Sequence, residues 1–327
     1  MNKKSKVLLT RMLPAKGMAL FNGKFELDIN REDETMPREA LKERIRDADG
    51  LVCLLTDNID AAIIARAMRL KIIANYAVGY NNIDLVEATK RKIPVTNTPD
   101  VLTETTADLT FGLLISVARR IVEADRFLRG GKFKGWAPEL MLGTDVHGKI
   151  LGIIGMGRIG QAVAQRAQGF NMKIVYTDIQ RMPVDQEEKY EARYRTLKEL
   201  LEESDYVSVH APLNEHTTGL LSVDEFRVMK KTAYLINVAR GQIVDESALV
   251  AAIKNKEIAG CALDVYENEP SVGPGLIELP NVVLVPHIGS ASIEARSEMA
   301  VMVANNIISV LADNKRPPNI VNPGIYE

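Results

Sequence analysis

The chain has 327 residues, 46% of them hydrophobic, and a formal net charge of −2 from 41 basic and 43 acidic side chains. That length and apolar share suit a soluble protein of two ordinary domains, and the balanced charge lacks both the basic footprint of a nucleic-acid binder and a polybasic membrane patch. The basic start, MNKKSKVLLT, reaches Arg11 too soon for a signal peptide or a membrane span, so the expected location is the cytoplasm. Cys53 and Cys261 lie in the apolar runs LVCLL and AGCALDV and read as core residues of a reducing compartment. No metal-ligand spacing, repeat or low-complexity tract is evident, so no metal is expected.

From Lys6 to about Pro99, short apolar runs alternate with helical stretches. Val7 to Thr10, Gly50 to Leu55, Lys71 to Asn75 and Ile93 to Asn97 read as strands, and Pro37 to Asp47, Asp60 to Ala67 and Asn82 to Arg91 as the helices between them. This alternation predicts a parallel sheet with helices on both faces, and no phosphate loop accompanies it. Thr103 to about Arg129 is the longest helical pattern; its middle, ADLTFGLLISVAR, is apolar nearly all round and should be buried, between domains or against a second copy. An irregular arm, Gly130 to His147, follows and holds the single tryptophan, Trp136. Read from the residues alone, Trp136 packs over the arm's own backbone.

Residues 149 to 178 read as one device. Lys149 to Ile154 is a buried strand running into Gly155-x-Gly157-x-x-Gly160. Gly155 permits the tight turn, Gly157 lets a pyrophosphate approach, and Gly160 lets the next helix, Arg158 to about Gln168, pack on the strand. That helix turns its free N–H groups and positive dipole end toward the phosphates. The strand Met172 to Thr177 ends on Asp178, an acceptor for both ribose hydroxyls of an adenosine. A 2′-phosphate there would meet a like charge at a cost of about 1 to 4 kcal/mol, so the expected cofactor is NAD, NADH ahead of NADPH, with Arg181 softening the preference.

The α/β pattern continues with strands Tyr206 to His210, Ala233 to Val238, Gly260 to Val265 and Val282 to Val285, separated by helices Leu197 to Glu203, Ser222 to Met229 and Glu246 to Asn255. Ligands of open parallel sheets sit beyond the carboxyl ends of the strands. Those ends carry His210 and Pro212, Asn237 to Gly241, Asp264, Glu269 and Pro270, and His287 to Ser290. Arg240 offers a charged fork for a carboxylate or carbonyl. His287 can exchange a proton near neutrality, and Glu269 can orient and charge its ring. A ketone that receives hydride builds negative charge on oxygen, which a cation and a proton donor stabilise. His210 ends the strand after Asp178 and should line the adenosine side, whereas His147 and His216 read as solvated.

Five motifs in order, NYAVGYNNID, LGIIGMGRIGQAVAQRA, LINVARGQIVDESAL, ALDVYENEP and VPHIGSAS, are similar over nearly the whole chain to those of the D-isomer-specific 2-hydroxyacid dehydrogenases. The resemblance implies two Rossmann-like or flavodoxin-like α/β domains with parallel sheets. Residues 1–99 and 289–327 would form a discontinuous substrate domain, with Ser292 to Leu311 as its returning helix, and 100–288 the inserted NAD-binding domain. It implies Arg240, Glu269 and His287 as the catalytic trio, and the backbone of Val78 and Gly79 at the substrate carboxylate. Its cofactor contacts map onto Thr106, Gly155, Gly157, Arg158, Ile159, Gly160, Asp178, His210, Pro212, Thr217, Asn237, Val238, Ala239, Asp264, Gly289 and Ser290. It further implies a homodimer built through the Thr103 to Arg129 helix and the arm.

Within the family, AVGYNNID and the arm look most like the glyoxylate/hydroxypyruvate reductases, where a tryptophan resembling Trp136 reaches the neighbouring subunit's active site; this replaces the packing role as the expectation. Asp178 followed by Ile179 departs from NADPH-using members, which carry a small polar residue and an arginine. Glu269 stands where formate dehydrogenases have glutamine, and Val78 where phosphite-oxidising members have lysine. The expected activity is reduction of glyoxylate to glycolate or hydroxypyruvate to D-glycerate. The alternatives are a D-lactate, 3-phosphoglycerate or 2-ketogluconate type dehydrogenase, or an NAD-sensing corepressor-like binding protein, for which the chain lacks a basic or low-complexity tail.

Overall fold

A computed structural model describes residues 4–327; the first three residues of the basic start lie outside the described residues. The chain forms two compact units, one running through Leu102 and resuming at Ala291–Glu327, the other Thr103–Ser290. These junctions fall at 102/103 and 290/291, where the sequence suggested 99/100 and 288/289.

The first unit begins β1 (Lys6–Leu9), α1 (Ala15–Phe21), β2 (Glu26–Ile29), α2 (Arg38–Arg44), β3 (Gly50–Cys53), α3 (Ala61–Arg66), β4 (Ile72–Asn75), α4 (Leu85–Lys90) and β5 (Val95–Thr96). Its sheet is wholly parallel in the order β2-β1-β3-β4-β5. Successive strand residues point to opposite faces: Val7, Leu9, Val52 and Ile72 join one buried cluster, and Leu8, Leu51 and Ile73 another. Burial on both faces is why these strands read as unbroken apolar runs. The starts of α3 and α4 are fixed by Asp60 and Asp84, whose carboxylates accept from the Ile63 and Glu87 amides.

The second unit contains α5 (Thr103–Ala118), α6 (Ile121–Arg129), β6 (Ile150–Ile154), α7 (Arg158–Gly169), β7 (Lys173–Thr177), α8 (Val184–Tyr190), β8 (Ala192–Tyr194), α9 (Leu197–Glu203), β9 (Tyr206–Val209), α10 (Val223–Val228), β10 (Tyr234–Asn237), α11 (Glu246–Lys254), β11 (Gly260–Leu263), α12 (Pro274–Ile277) and β12 (Val282–Leu284). Its seven strands are parallel in the order β12-β11-β10-β9-β6-β7-β8. The chain builds outward from β6 through β7 to β8, then crosses back to place β9 on the other side of β6. The carboxyl ends of β6 and β9 therefore flank the point where strand order reverses, where open α/β sheets bind ligands. The chain then returns to the first unit as α13 (Ile293–Leu311), capped by Ser292, and buries Ala300, Val303 and Ile307 in the cluster that holds Val7 and Val52.

The helix expected over Thr103 to Arg129 is two helices. The Ala118 carbonyl, which a continuing helix would use four residues on, instead accepts from the Thr144 amide of the returning arm at 2.9 Å, and Arg120 turns left-handed (φ 54°). α5 buries eight residues and α6 none, so the all-round apolar character belongs to α5 alone. The longest helix is α13, with 19 residues against 16 for α5. The sequence also missed α1, β2, α8, β8 and α12, all short.

Candidate active site

Three neighbouring strands, β10, β11 and β12, deliver the polar groups, each from the loop at its carboxyl end. After β10, Asn237 is 1% exposed and braces the turn: its Oδ1 accepts from the Ala239 amide (3.0 Å) and its Nδ2 donates to the Arg240 carbonyl (2.9 Å). Arg240 donates from Nη1 to the Ala239 carbonyl at 2.6 Å. Burial lowers the pKa of its guanidinium, opposed by the negative charge of Glu269.

After β11, Glu269 accepts from the Tyr266 amide (3.0 Å) and faces His287 Nδ1 across 2.8 Å. Burial pushes its carboxyl upward, but the hydrogen bond and charge of His287, the Tyr266 amide and Arg240 outweigh that and leave it below the usual range. It is therefore a carboxylate at neutral pH. With Nδ1 directed at a carboxylate, the imidazole presents Nε2 for proton exchange.

After β12, His287 adopts φ 52°, a conformation that costs a non-glycine residue about 1–3 kcal/mol unless its surroundings hold it. They do. Its amide donates to the Asp264 carbonyl (2.9 Å), while Asp264, fully buried, takes the Ile288 amide on Oδ1 (2.6 Å) and the Gly289 amide on Oδ2 (2.7 Å). Thr106, near the start of α5, donates to the Gly289 carbonyl at 3.1 Å. Asp264 thus fixes the 287–289 loop, a role the sequence did not suggest. Burial raises its carboxyl, and the loop amides and His287 charge oppose the rise.

Further supports escaped the sequence reading. The Glu267 peptide is clipped on both sides: its amide donates to Glu246 (2.6 Å) and its carbonyl accepts from Gln242 (2.7 Å). Both residues follow Arg240 closely in the chain, so the clip ties the Arg240 segment to the Glu269 loop. The acid in ARGQIVDES was the available signal, but its partner became visible only once β10 and β11 were neighbours.

The dinucleotide loop lies at the strand-order reversal. Gly155 has φ +93°, and a β-carbon there would stand 2.6 Å from the Ala211 amide nitrogen. A β-carbon on Gly160 would stand 2.2 Å from the Gly155 carbonyl oxygen, whereas one on Gly157, the residue before α7, would meet nothing within 4 Å. Two glycines therefore admit close backbone packing, and the third faces open space at the N-terminus of a twelve-residue helix, as a pyrophosphate requires. Asp178 accepts from the Met156 amide on one oxygen and from its neighbour Ile179 on the other, both at 2.7 Å, retaining lone pairs for further donors. Arg158 is exposed and Ile159 half-buried at the start of α7.

His210 donates its amide to the end of β6 (Ile154 carbonyl, 2.7 Å) and contacts Ser208 Oγ through Nε2 at 2.8 Å. Its Nδ1 is buried without a hydrogen-bond partner among the described residues, and burial pulls its pKa down to about 3, so the ring is neutral. Thr217 closes the following loop by donating to the Pro212 carbonyl at 2.6 Å. Val238, Ala239 and Ser290 lie on the loops already described, whereas Trp136 is 83% exposed in the arm. In the first unit, Val78 and Gly79 follow β4; their carbonyls accept from Asn97 and Asn75, both at 2.8 Å. His147 and His216 are exposed.

The family model for the D-isomer specific 2-hydroxyacid dehydrogenase NAD binding domain matches residues 111–289. The chain is 52% identical over 327 residues to a glyoxylate reductase of Korarchaeum cryptofilum, covering 99% of this chain and 98% of that one. A crystal structure of a protein from Thermus thermophilus superposes with a TM-score of 0.91 at 44% identity, covering 97% of this chain and 99% of the other. An NADPH-dependent glyoxylate/hydroxypyruvate reductase from Sinorhizobium meliloti, solved with NADP and malonate, superposes with a TM-score of 0.85 at 32% identity, covering 98% and 97%.

Proposed function

The chain belongs to the D-isomer specific 2-hydroxyacid dehydrogenases, and we propose that within that family it is an NADH-linked reductase of small 2-oxo acids, taking glyoxylate to glycolate and hydroxypyruvate to D-glycerate. The observation that carries the reading is the 2.8 Å contact between Glu269 and His287, on neighbouring loops of the sheet edge that also bears Arg240. Gly155, Gly157, Gly160 and Asp178 would hold a dinucleotide, with Thr106, Arg158, Ile159, the 237–239 turn, Gly289 and Ser290 lining its path. When bound, the reduced nicotinamide supplies a hydride to the carbonyl carbon.

The chain's own residues manage the charge and the proton. Arg240 draws electron density onto the substrate's carbonyl oxygen, and the His287 imidazolium gives that oxygen its proton as the alcohol forms. Glu269, on Nδ1, keeps the ring oriented with Nε2 free to face the substrate. The amides of Val78 and Gly79 receive the substrate carboxylate. Neither donates a hydrogen bond among the described residues, which leaves both free for that contact. Asp178 favours NADH over NADPH by like-charge repulsion of a 2′-phosphate.

Two copies associate through α6 and the arm, bringing Trp136 to the partner's substrate. Ile121, Leu128, Phe133, Trp136 and Leu142, all substantially exposed along that stretch, support this. No helix among the described residues is long and apolar enough to cross a membrane. The buried free thiols of Cys53 and Cys261 suit the cytoplasm. The test is a panel of two- to four-carbon 2-oxo acids with NADH and NADPH. NADH consumption that is fastest with glyoxylate or hydroxypyruvate is expected, and no consumption with any member would overturn the reading.

A further inference from the structure

Arg181 does not face an open ribose site; it is held elsewhere. Its Nε donates to Glu187 Oε1 at 2.9 Å and its Nη2 to Glu187 Oε2 at 2.8 Å, a two-pronged pair. Glu187 lies in α8, its side chain 10% exposed, and receives a third donor, the Tyr176 hydroxyl, at 2.6 Å. That hydroxyl in turn accepts from the Met182 amide at 2.8 Å. Tyr176 is wholly buried in β7, two residues before Asp178. The strand that presents Asp178 thus also anchors the acid that occupies the nearest downstream arginine.

We infer that Glu187 is a specificity-determining residue, which keeps Arg181 from a 2′-phosphate at Asp178 and so reinforces selection of NADH. The inference rests on the reading of Asp178 as the ribose acid. Arg181 is the only arginine or lysine in the 178–183 loop, so its engagement decides whether that loop offers a cation to a phosphate. Its guanidinium remains 62% exposed, so it is held by its partner and not by burial. Arg181 first, then Tyr176, hold the Glu187 carboxyl down to about 2 despite desolvation, so the lock stays closed across the neutral range. Neutralising Glu187 leaves a guanidinium that pairs better with a dianionic phosphate than with an amide.

The test is equilibrium binding, read from the fluorescence of the reduced nicotinamide, for the full chain and its variants. Glu187→Gln is expected to tighten NADPH about tenfold and leave NADH within about twofold. Adding Arg181→Gln to Glu187→Gln should abolish the gain. NADPH affinity unmoved by Glu187→Gln, or a gain that survives loss of Arg181, overturns the inference. Should Glu187→Gln fail to bind NADH at all, Tyr176→Phe, which loosens the lock without altering its charge, takes its place: a rise in NADPH affinity of about threefold supports the lock, and no rise overturns it. Asp178→Ala separates the two levels. If it leaves NADH binding intact, the ribose reading fails and the inference with it; if NADH binding depends on Asp178 while NADPH ignores Glu187, the lock alone fails.

Discussion

Replacing Glu269 with glutamine removes its charge while nearly preserving its shape. Glu269 accepts from the Tyr266 amide on one oxygen (3.0 Å) and meets His287 Nδ1 with the other (2.8 Å), and a glutamine keeps one acceptor oxygen, so the negative charge goes together with one of these two contacts. Two unit charges about 4 Å apart attract by about 1 kcal/mol in water and about 4 kcal/mol at an effective dielectric of 20. The Glu269 and His287 side chains are 29% and 24% exposed, which places the pair between those limits, at about 2 kcal/mol. If that attraction stabilises the proton-donating imidazolium, its loss lowers kcat/KM for glyoxylate reduction about 30-fold. The assay is steady-state NADH oxidation at neutral pH. A rate within about threefold of the parent would refute the reasoning.

Other substitutions probe the remaining parts. His287→Asn should lower kcat by about 100-fold or more while NADH still binds, since proton donation contributes on that scale; equal turnover would place the donor elsewhere. Gly160→Ala sets a methyl 2.2 Å from the Gly155 carbonyl oxygen and should weaken NADH binding at least about tenfold in a fluorescence titration. Asp264→Ala strands the buried Gly289 amide and the half-buried Ile288 amide and should lower unfolding stability by about 1–3 kcal/mol, read from urea melts. The Glu187 carboxyl, at about 2 when folded against an ordinary 4.5, contributes stability in full above about pH 4.5 and loses it as pH falls toward 2. The urea midpoints of the parent and Glu187→Gln should therefore differ near neutrality and converge as acid is added.

What the sequence made legible depended on distance along the chain. The β6-glycine-α7 device and Asp178 sit within thirty residues, and Gly155 and Gly160 have steric reasons that the structure expresses in atoms. The apolar runs of β3, β4, β6 and β9 are buried on both faces, so they stood out without periodicity. Short or charged elements did not: β8 is three residues, Ala-Arg-Tyr, at a sheet edge, and α8, Val-Asp-Gln-Glu-Glu-Lys-Tyr, has little apolar signal. Missing α8 hid Glu187, which is why Arg181 read as softening the cofactor preference. The break between α5 and α6 was invisible for a different reason: the Ala118 carbonyl is taken by Thr144, 26 positions on, and local propensity carries no record of that. Likewise, the clip of Glu246 and Gln242 on Glu267 exists only because β10 and β11 are adjacent.

At the centre of the mechanism, an imidazole oriented by Glu269 and a guanidinium from Arg240 converge on one substrate oxygen. A crystal structure of the protein with NADH and oxamate, an unreactive mimic of a 2-oxo acid, tests it directly. The oxamate carbonyl oxygen is expected within hydrogen-bond reach of both His287 Nε2 and Arg240. An oxamate bound away from the His287 ring, or a ring turned from Glu269 in the complex, would contradict it.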